Sequence, residues 1–164
     1  MEYKIIQKEA FNFVGFSKRV SLQFEGVNNE IVELTQKITE AQWKKLLALQ
    51  NIEPYEVVNV SYDSDTDFLE EKGQLTHLAG VLTTCDDISE PFDKVSMPAL
   101  TWAVFPNEGP FPFTLQDTMA RIYSEWLSAS DYELAFPFSF SFTKMCEHKE
   151  NEAYSEIWIP VKHK

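Results

Sequence analysis

The sequence predicts an α+β fold built from two strand–helix–strand–strand halves. Three observations carry this. The chain has 164 residues, the length of one domain or of two small halves sharing a core. Segments with apolar side chains at every second position alternate with segments at helical spacing. The order strand, helix, strand, strand occurs twice, in about residues 1–84 and 98–164, with no repeat of the sequence itself.

In the first half, Tyr3, Ile5, Ile6, Phe11, Phe13 and Val14 predict one strand over residues 3–14, with Gly15 a bend and the polar stretch 17–27, containing Gly26, a loop. A helix starts near Asn28 or Asn29, with Ile31, Leu34 and Ile38 on one face. Thr39 followed by Gln42 has the form of a capping box and predicts a second helix start carrying Trp43, Leu46 and Leu47. Pro54 ends it. Val57, Val58 and Val60 mark a strand over 55–62. Asp63, Asp65, Asp67, Glu70, Glu71 and Gly73 form an acidic connection to a strand over 76–84. Residues 85–97, with Asp86, Asp87 and Pro91, read as a linker.

In the second half, residues 100–105 are a strand and Asn107-Glu108-Gly109-Pro110 a turn. Leu115, Met119, Ile122, Tyr123 and Trp126 define an amphipathic helix capped by Thr114, with Tyr123 and Trp126 expected in the core. Phe136, Phe138, Phe140 and Phe142 form one stripe of a strand over 136–145, and residues 154–162 are the last strand.

Apolar residues make up 44% and aromatics 14%, which excludes a disordered chain. Lys+Arg 14 against Asp+Glu 26 gives a net charge of −12, which repels phosphate backbones and anionic membranes and suits a cationic ligand. Cys85 and Cys146 make no disulfide framework, and no apolar run is long enough to span a bilayer. A reduced, cytoplasmic protein is the expectation. Phosphate-binding glycine loops and the Gly-x-Ser-x-Gly elbow are absent. Cys146-x-His148 lacks completing zinc ligands, and Asp63, Asp65 and Asp67 lack the glycine and bidentate glutamate of a calcium loop, so neither a metal nor a cofactor is expected.

Several segments resemble one known family. They are Trp102-Ala103-Val104-Phe105 with Glu108-Gly109-Pro110, Arg121-Ile122-Tyr123-Ser124-Glu125-Trp126-Leu127 with Tyr132-Glu133-Leu134, and Glu156-Ile157-Trp158-Ile159-Pro160-Val161. These are similar to the gyrase-inhibitor-like (GyrI-like) domains, which bind small molecules and serve as effector-binding domains of some AraC-type and MerR-type transcription regulators. The resemblance implies a pseudo-twofold pair of halves in one antiparallel sheet, with helices on one side and a cleft for lipophilic, often cationic, compounds on the other. It lacks the regulators' DNA-binding module, so a stand-alone member that does not bind duplex DNA is expected. The family's frequent glutamate on the penultimate strand also has no counterpart, because no acid lies between Leu134 and Cys146. Glu156 is the one carboxylate that carries over.

On the last strand, Ile157, Ile159 and Val161 share one face, expected under the helices, while Tyr154, Glu156 and Trp158 share the other. A carboxylate between two rings suits a lipophilic cation by charge and by cation–π attraction. The expected ligand-binding residues are Glu156, Trp158, Tyr154, Trp102, Tyr62 and Phe140; on periodicity alone, the phenylalanine stripe fits helix-facing core as well as pocket lining. The leading expectation is a small-molecule-binding protein that sequesters or senses lipophilic cationic or aromatic compounds. The alternatives are a hydrolase of strained cyclopropane-bearing toxins, as some family members are, with Glu156 as general base, and an acidic inhibitor that captures a protein partner.

Overall fold

The computed structural model describes residues 1–21, 28–65 and 73–164. The loop around Gly26 and the 66–72 part of the acidic connection lie outside them. The first half holds β1 (Lys4–Lys8), β2 (Phe11–Ser21), α1 (Asn29–Gln36), α2 (Glu40–Leu49), β3 (Val58–Tyr62), β4 (Gln74–Thr83) and β5 (Asp93–Met97). The second half holds β6 (Leu100–Pro110), α3 (Phe113–Arg121), β7 (Tyr132–Leu134), β8 (Phe138–Met145) and β9 (Glu152–His163). After Arg121 the helix runs on through a π-helical turn, Ile122–Trp126, into a last turn at Leu127–Ala129.

Local chemistry explains the helix starts. The Asn28 side chain accepts from the Glu30 N–H at 3.0 Å. Thr39 and Gln42 form the expected reciprocal capping box, at 3.2 and 2.9 Å. That box lets the chain break between α1 and α2 while leaving few helix-end donors unpaired.

Pairing makes the two halves equivalent. The strands form one antiparallel sheet in the order β1-β6-β9-β8-β3-β4-β2-β5, with β7 added beside β9. The order reads the same from both ends if β1 matches β5, β6 matches β2, β9 matches β4 and β8 matches β3. The two halves meet at the β3–β8 ladder, the middle pairing of that order. Each edge of the sheet is closed by a strand that pairs away from the strand following it in the chain. β1 leads into β2 in sequence but pairs with β6, and β5 leads into β6 but pairs with β2.

The helices cover one face of this sheet. Leu46 of α2 packs on Val14 and Val81. Ile122 and Trp126 pack on Ala103, Phe105, Ile157, Ile159 and Val161. The other face carries no helix, yet it holds a large buried cluster, including Phe11, Phe13, Val58, Val60, Trp102, Phe138, Phe140 and Trp158. The sheet achieves this by folding over on itself. β2 and β6 are five strand spacings apart, about 24 Å in a flat sheet at ~4.8 Å per strand. The rings of Phe11 on β2 and Trp102 on β6 are 6.1 Å apart. Phe13 on β2 likewise lies 5.6 Å from Phe138 on β8. The face is therefore concave, and its own aromatic side chains fill it.

Several expectations need correction. The single strand over 3–14 is two strands, because β1 and β2 pair at opposite ends of the sheet. Gly15 lies inside β2 rather than at a bend, and residues 17–21 continue that strand instead of starting a loop. The linker over 85–97 contains β5, which is drawn into extended form by the free edge of β2. No turn occurs at 107–110, since β9 pairs with β6 as far as Pro110. Thr114 does not cap α3. Its N-cap is Pro112, which makes no side-chain bond, and Thr114 packs instead beside Gly109. Tyr123 is exposed, at the flank of the face on which Ile122 and Trp126 are buried. Phe136 precedes β8, and β7 was not foreseen.

One buried polar residue links the fold to pH. His77 is 3% exposed on the helix-bearing face of β4, where Nε2 meets Asn59 Oδ1 at 3.0 Å and Nδ1 has no partner among the described residues. Burial lowers its pKa to about 4, from 6.5 in an unfolded chain. Between these values the unfolded chain takes up a proton that the folded one refuses. Stability should therefore be complete above pH 6.5 and fall as pH drops toward 4, at up to roughly 1.4 kcal/mol per pH unit. Urea denaturation at pH 7 and pH 5 reads this, and His77→Gln should flatten the difference. An unchanged difference in that variant would assign the acid sensitivity to other groups.

Candidate functional site

The site is built on β9, whose alternation places Tyr154, Glu156 and Trp158 on the concave face and Ile157, Ile159 and Val161 under the helix. Both aromatic neighbours donate to the one carboxylate. The Tyr154 hydroxyl reaches Glu156 Oε2 at 2.6 Å, and the Trp158 indole N–H reaches Oε1 at 3.1 Å. Trp158 is buried, whereas Tyr154 and Glu156 are half-buried, so the carboxylate stands at the rim of the ring cluster. The Tyr154 hydroxyl is pushed up to about 12, by burial first, then by its bond to Glu156 and the charges of Glu156, Glu2 and Glu108. The phenol thus remains a donor to the carboxylate at every physiological pH, and the corner carries negative charge.

Behind Glu156 the rings are in contact. Trp158 stacks on Phe140 at 5.1 Å, Trp102 meets Phe140 edge-on at 5.2 Å, and Trp102 lies 6.4 Å from Trp158. Of the six residues read from the sequence, Glu156, Tyr154, Trp158, Phe140 and Trp102 form one connected group. Tyr62 stands apart at the far end, stacked on Phe138 at 5.8 Å, with Phe138 between it and Trp102. Trp102 is fully buried, and its indole N–H has no partner among the described residues. The phenylalanine stripe of β8 faces this cluster rather than the helices.

Sequence reasoning missed Phe11, Phe13 and Lys8. Phe11 and Phe13 close the concave face from β2, against Trp102 and Phe140. Their alternation was visible, but the fold-over that brings β2 to β6 was not. Lys8 is the last residue of β1 and shares the inward side with Ile6. Its ammonium lies 5.6 Å from the Phe11 ring centre and 5.7 Å from that of Trp158.

The remaining candidates take other roles. Arg19 pairs with Asp63 at 3.7 Å and Asp65 at 3.3 Å, and the Gln74 N–H donates to Asp65 at 2.6 Å. The acidic connection is therefore pinned by an arginine and a backbone donor; its Asp67 lies outside the described residues. Cys146 faces the Glu108 carboxylate at 3.9 Å. Among the described residues no three His, Cys, Asp or Glu side chains converge as metal ligands, and no helix is long and apolar enough to cross a membrane. A shallow groove of about 310 Å³ lies on the opposite face of the sheet, between α1 and β3, lined by Ile31, Val32, Thr35, Gln36, Val57, Asn59 and Ala79.

Comparison with known proteins agrees with this architecture. The family model of the GyrI-like small molecule binding domain matches residues 1–162. The solved structure of SAV2435 bound to tetraphenylphosphonium is 18% identical, with a TM-score of 0.67 over 99% of this chain and 94% of that one. The EcmrR C-terminal domain is 15% identical, with a TM-score of 0.69 over 99% of this chain and 98% of that one. A hydrolase from Listeria innocua is more distant, at 10% identity and a TM-score of 0.52 over 98% of this chain and 92% of that one. These likenesses are of fold. No curated protein sequence matches the chain.

Proposed function

The chain belongs to the GyrI-like small molecule binding domain family, and we propose that it binds lipophilic cations on the concave face of its sheet, at the Glu156 corner. The observation that carries this reading is the pairing of one half-buried carboxylate with the ring wall behind it. Glu156 is oriented by Tyr154 and Trp158, and Trp158 and Phe140 offer stacked aromatic surface beside it. A flat or globular aromatic cation gains apolar contact from the rings, cation–π attraction from their faces and a charge partner at the rim. Water is displaced as it enters, so the charge term strengthens. The rings are in mutual contact, so a ligand enters by parting them, and the side chains of β2 and β6 must give way. Tetraphenylphosphonium in SAV2435 is a cation of this class and sits in a protein of the same fold.

Matched probes test the charge preference. Tetraphenylphosphonium and tetraphenylborate have nearly one shape and opposite charge. Thermal-shift measurement should show stabilisation by the cation, about 2.7 kcal/mol at 100 times its dissociation constant, and none by the anion at the same concentration. Stabilisation by tetraphenylborate alone would overturn the reading. A hydrolytic role for Glu156 would instead appear as product formed from a strained substrate.

A further inference from the structure

We propose that Lys8 is a built-in occupant of the cation site, which a bound ligand must displace and which thereby selects among cations. The inference rests on the cation-binding reading above and adds a residue to it. Lys8 ends β1, the strand that the first half lends to the edge of the second. Its inward register places the ammonium over two ring faces at once, Phe11 at 5.6 Å and Trp158 at 5.7 Å, both within the ~6 Å reach of a cation–π contact. Trp158 is the ring whose N–H holds Glu156. One aromatic side chain therefore carries the proposed charge partner on its edge and a tethered cation on its face.

Lys8 has a further partner. The ammonium donates to the main-chain carbonyl of Glu53 at 2.5 Å, a charge-assisted bond that an entering ligand must also break, and among the described residues no carboxylate oxygen lies within 4.0 Å of it. Burial lowers its pKa more than the Glu53 charge raises it, so the ammonium stands here at a cost in hydration. A long lysine stem on an exposed edge strand could turn that charge to water instead.

Selectivity follows from hydration. A primary ammonium is compact and strongly hydrated, whereas a cation with its charge spread under aromatic groups sheds little water on burial. Small amines therefore compete with Lys8 on equal terms, with the tether favouring Lys8. Lipophilic, charge-diffuse cations displace it. Once displaced, the lysine swings to solvent, and its side chain becomes accessible.

Titration calorimetry with tetraphenylphosphonium on wild type, Lys8→Met and Lys8→Arg reads the competition. Methionine keeps the length of the stem and removes the charge. Lys8→Met should bind the probe on the order of tenfold more tightly, while Lys8→Arg stays near wild type. A second readout needs no variant. In the wild-type chain, acetylation of Lys8 followed by mass spectrometry should accelerate several-fold when the probe saturates the protein. Equal or weaker affinity in a folded Lys8→Met protein that still binds the probe would overturn the proposal and leave the binding reading standing. So would Lys8 acetylation that is unchanged or slowed by the bound probe. Loss of probe binding in all three proteins would sink the binding reading, and this proposal with it.

Discussion

Gly80→Ala should cost roughly 4 kcal/mol or more of folding stability, although it adds a single methyl group. Gly80 on β4 pairs with Gly15 on β2, and both glycines point to the concave face. A Cβ built on Gly80 would stand 1.9 Å from the Val14 carbonyl oxygen and 2.8 Å from the Gly15 Cα. A Cβ on Gly15 would meet the Ala79 oxygen at 2.0 Å. The obstacle in each case is main chain, so no side-chain rotation relieves it, and the two strands must separate. Ordinary overpacking costs about 1–3 kcal/mol, and the ladder bonds broken here add to that. Glycine recurs where a sheet turns a tight corner and one backbone approaches another. This pair stands in the half that must bend to bring Phe13 onto Phe138 and Phe140. The equivalent row of the second half holds Val104, Trp158 and Phe140, so bulk in one half faces space in the other. For a chain of this size the melting temperature should fall by roughly 8–16 °C. A variant within about 1 kcal/mol of wild type in urea denaturation would show that β2 and β4 are not drawn this close together.

Glu156→Gln should weaken tetraphenylphosphonium by about 1–3 kcal/mol, roughly 5- to 150-fold, and leave a neutral aromatic such as triphenylphosphine oxide nearly unchanged. Glutamine keeps an acceptor for the Tyr154 hydroxyl, so the corner remains built while the charge is gone. Trp158→Ala should weaken both classes. It removes the ring that stacks on Phe140 and also the N–H that orients the carboxylate. The two substitutions report different physics, charge in the first and apolar contact in the second. Equal loss of cationic and neutral ligands in Glu156→Gln, read by calorimetry, would make the glutamate a structural residue.

The Glu156 corner was legible because its geometry is local. Residues two apart on a strand share a face, so Tyr154, Glu156 and Trp158 had to meet once β9 formed. Caps are local too, and the Thr39–Gln42 box is written within four residues. The strands that depart from the local pattern do so because of pairing between distant segments. Residues 93–97 have no strong pattern and become β5 because β2 has a free edge. Residues 107–110 carry glycine and proline, turn signals by any local rule, yet β9 runs alongside and keeps them extended. Tyr123 obeys the helical spacing and still lies outside, at the flank of a face that Leu115, Met119, Ile122 and Trp126 fill.

The sequence by itself determined the helices, the central stretches of β3, β4, β6, β8 and β9, and the carboxylate between two rings, because those follow from side-chain periodicity over a few residues. Tertiary structure alone decided that β1 crosses to β6, that the sheet folds until Phe11 reaches Trp102, and that Lys8 comes to rest over Trp158. Those contacts join residues about 90 to 150 positions apart. Their formation depends on which distant edges are free and how much apolar surface their meeting removes from water, quantities that no short window of sequence contains.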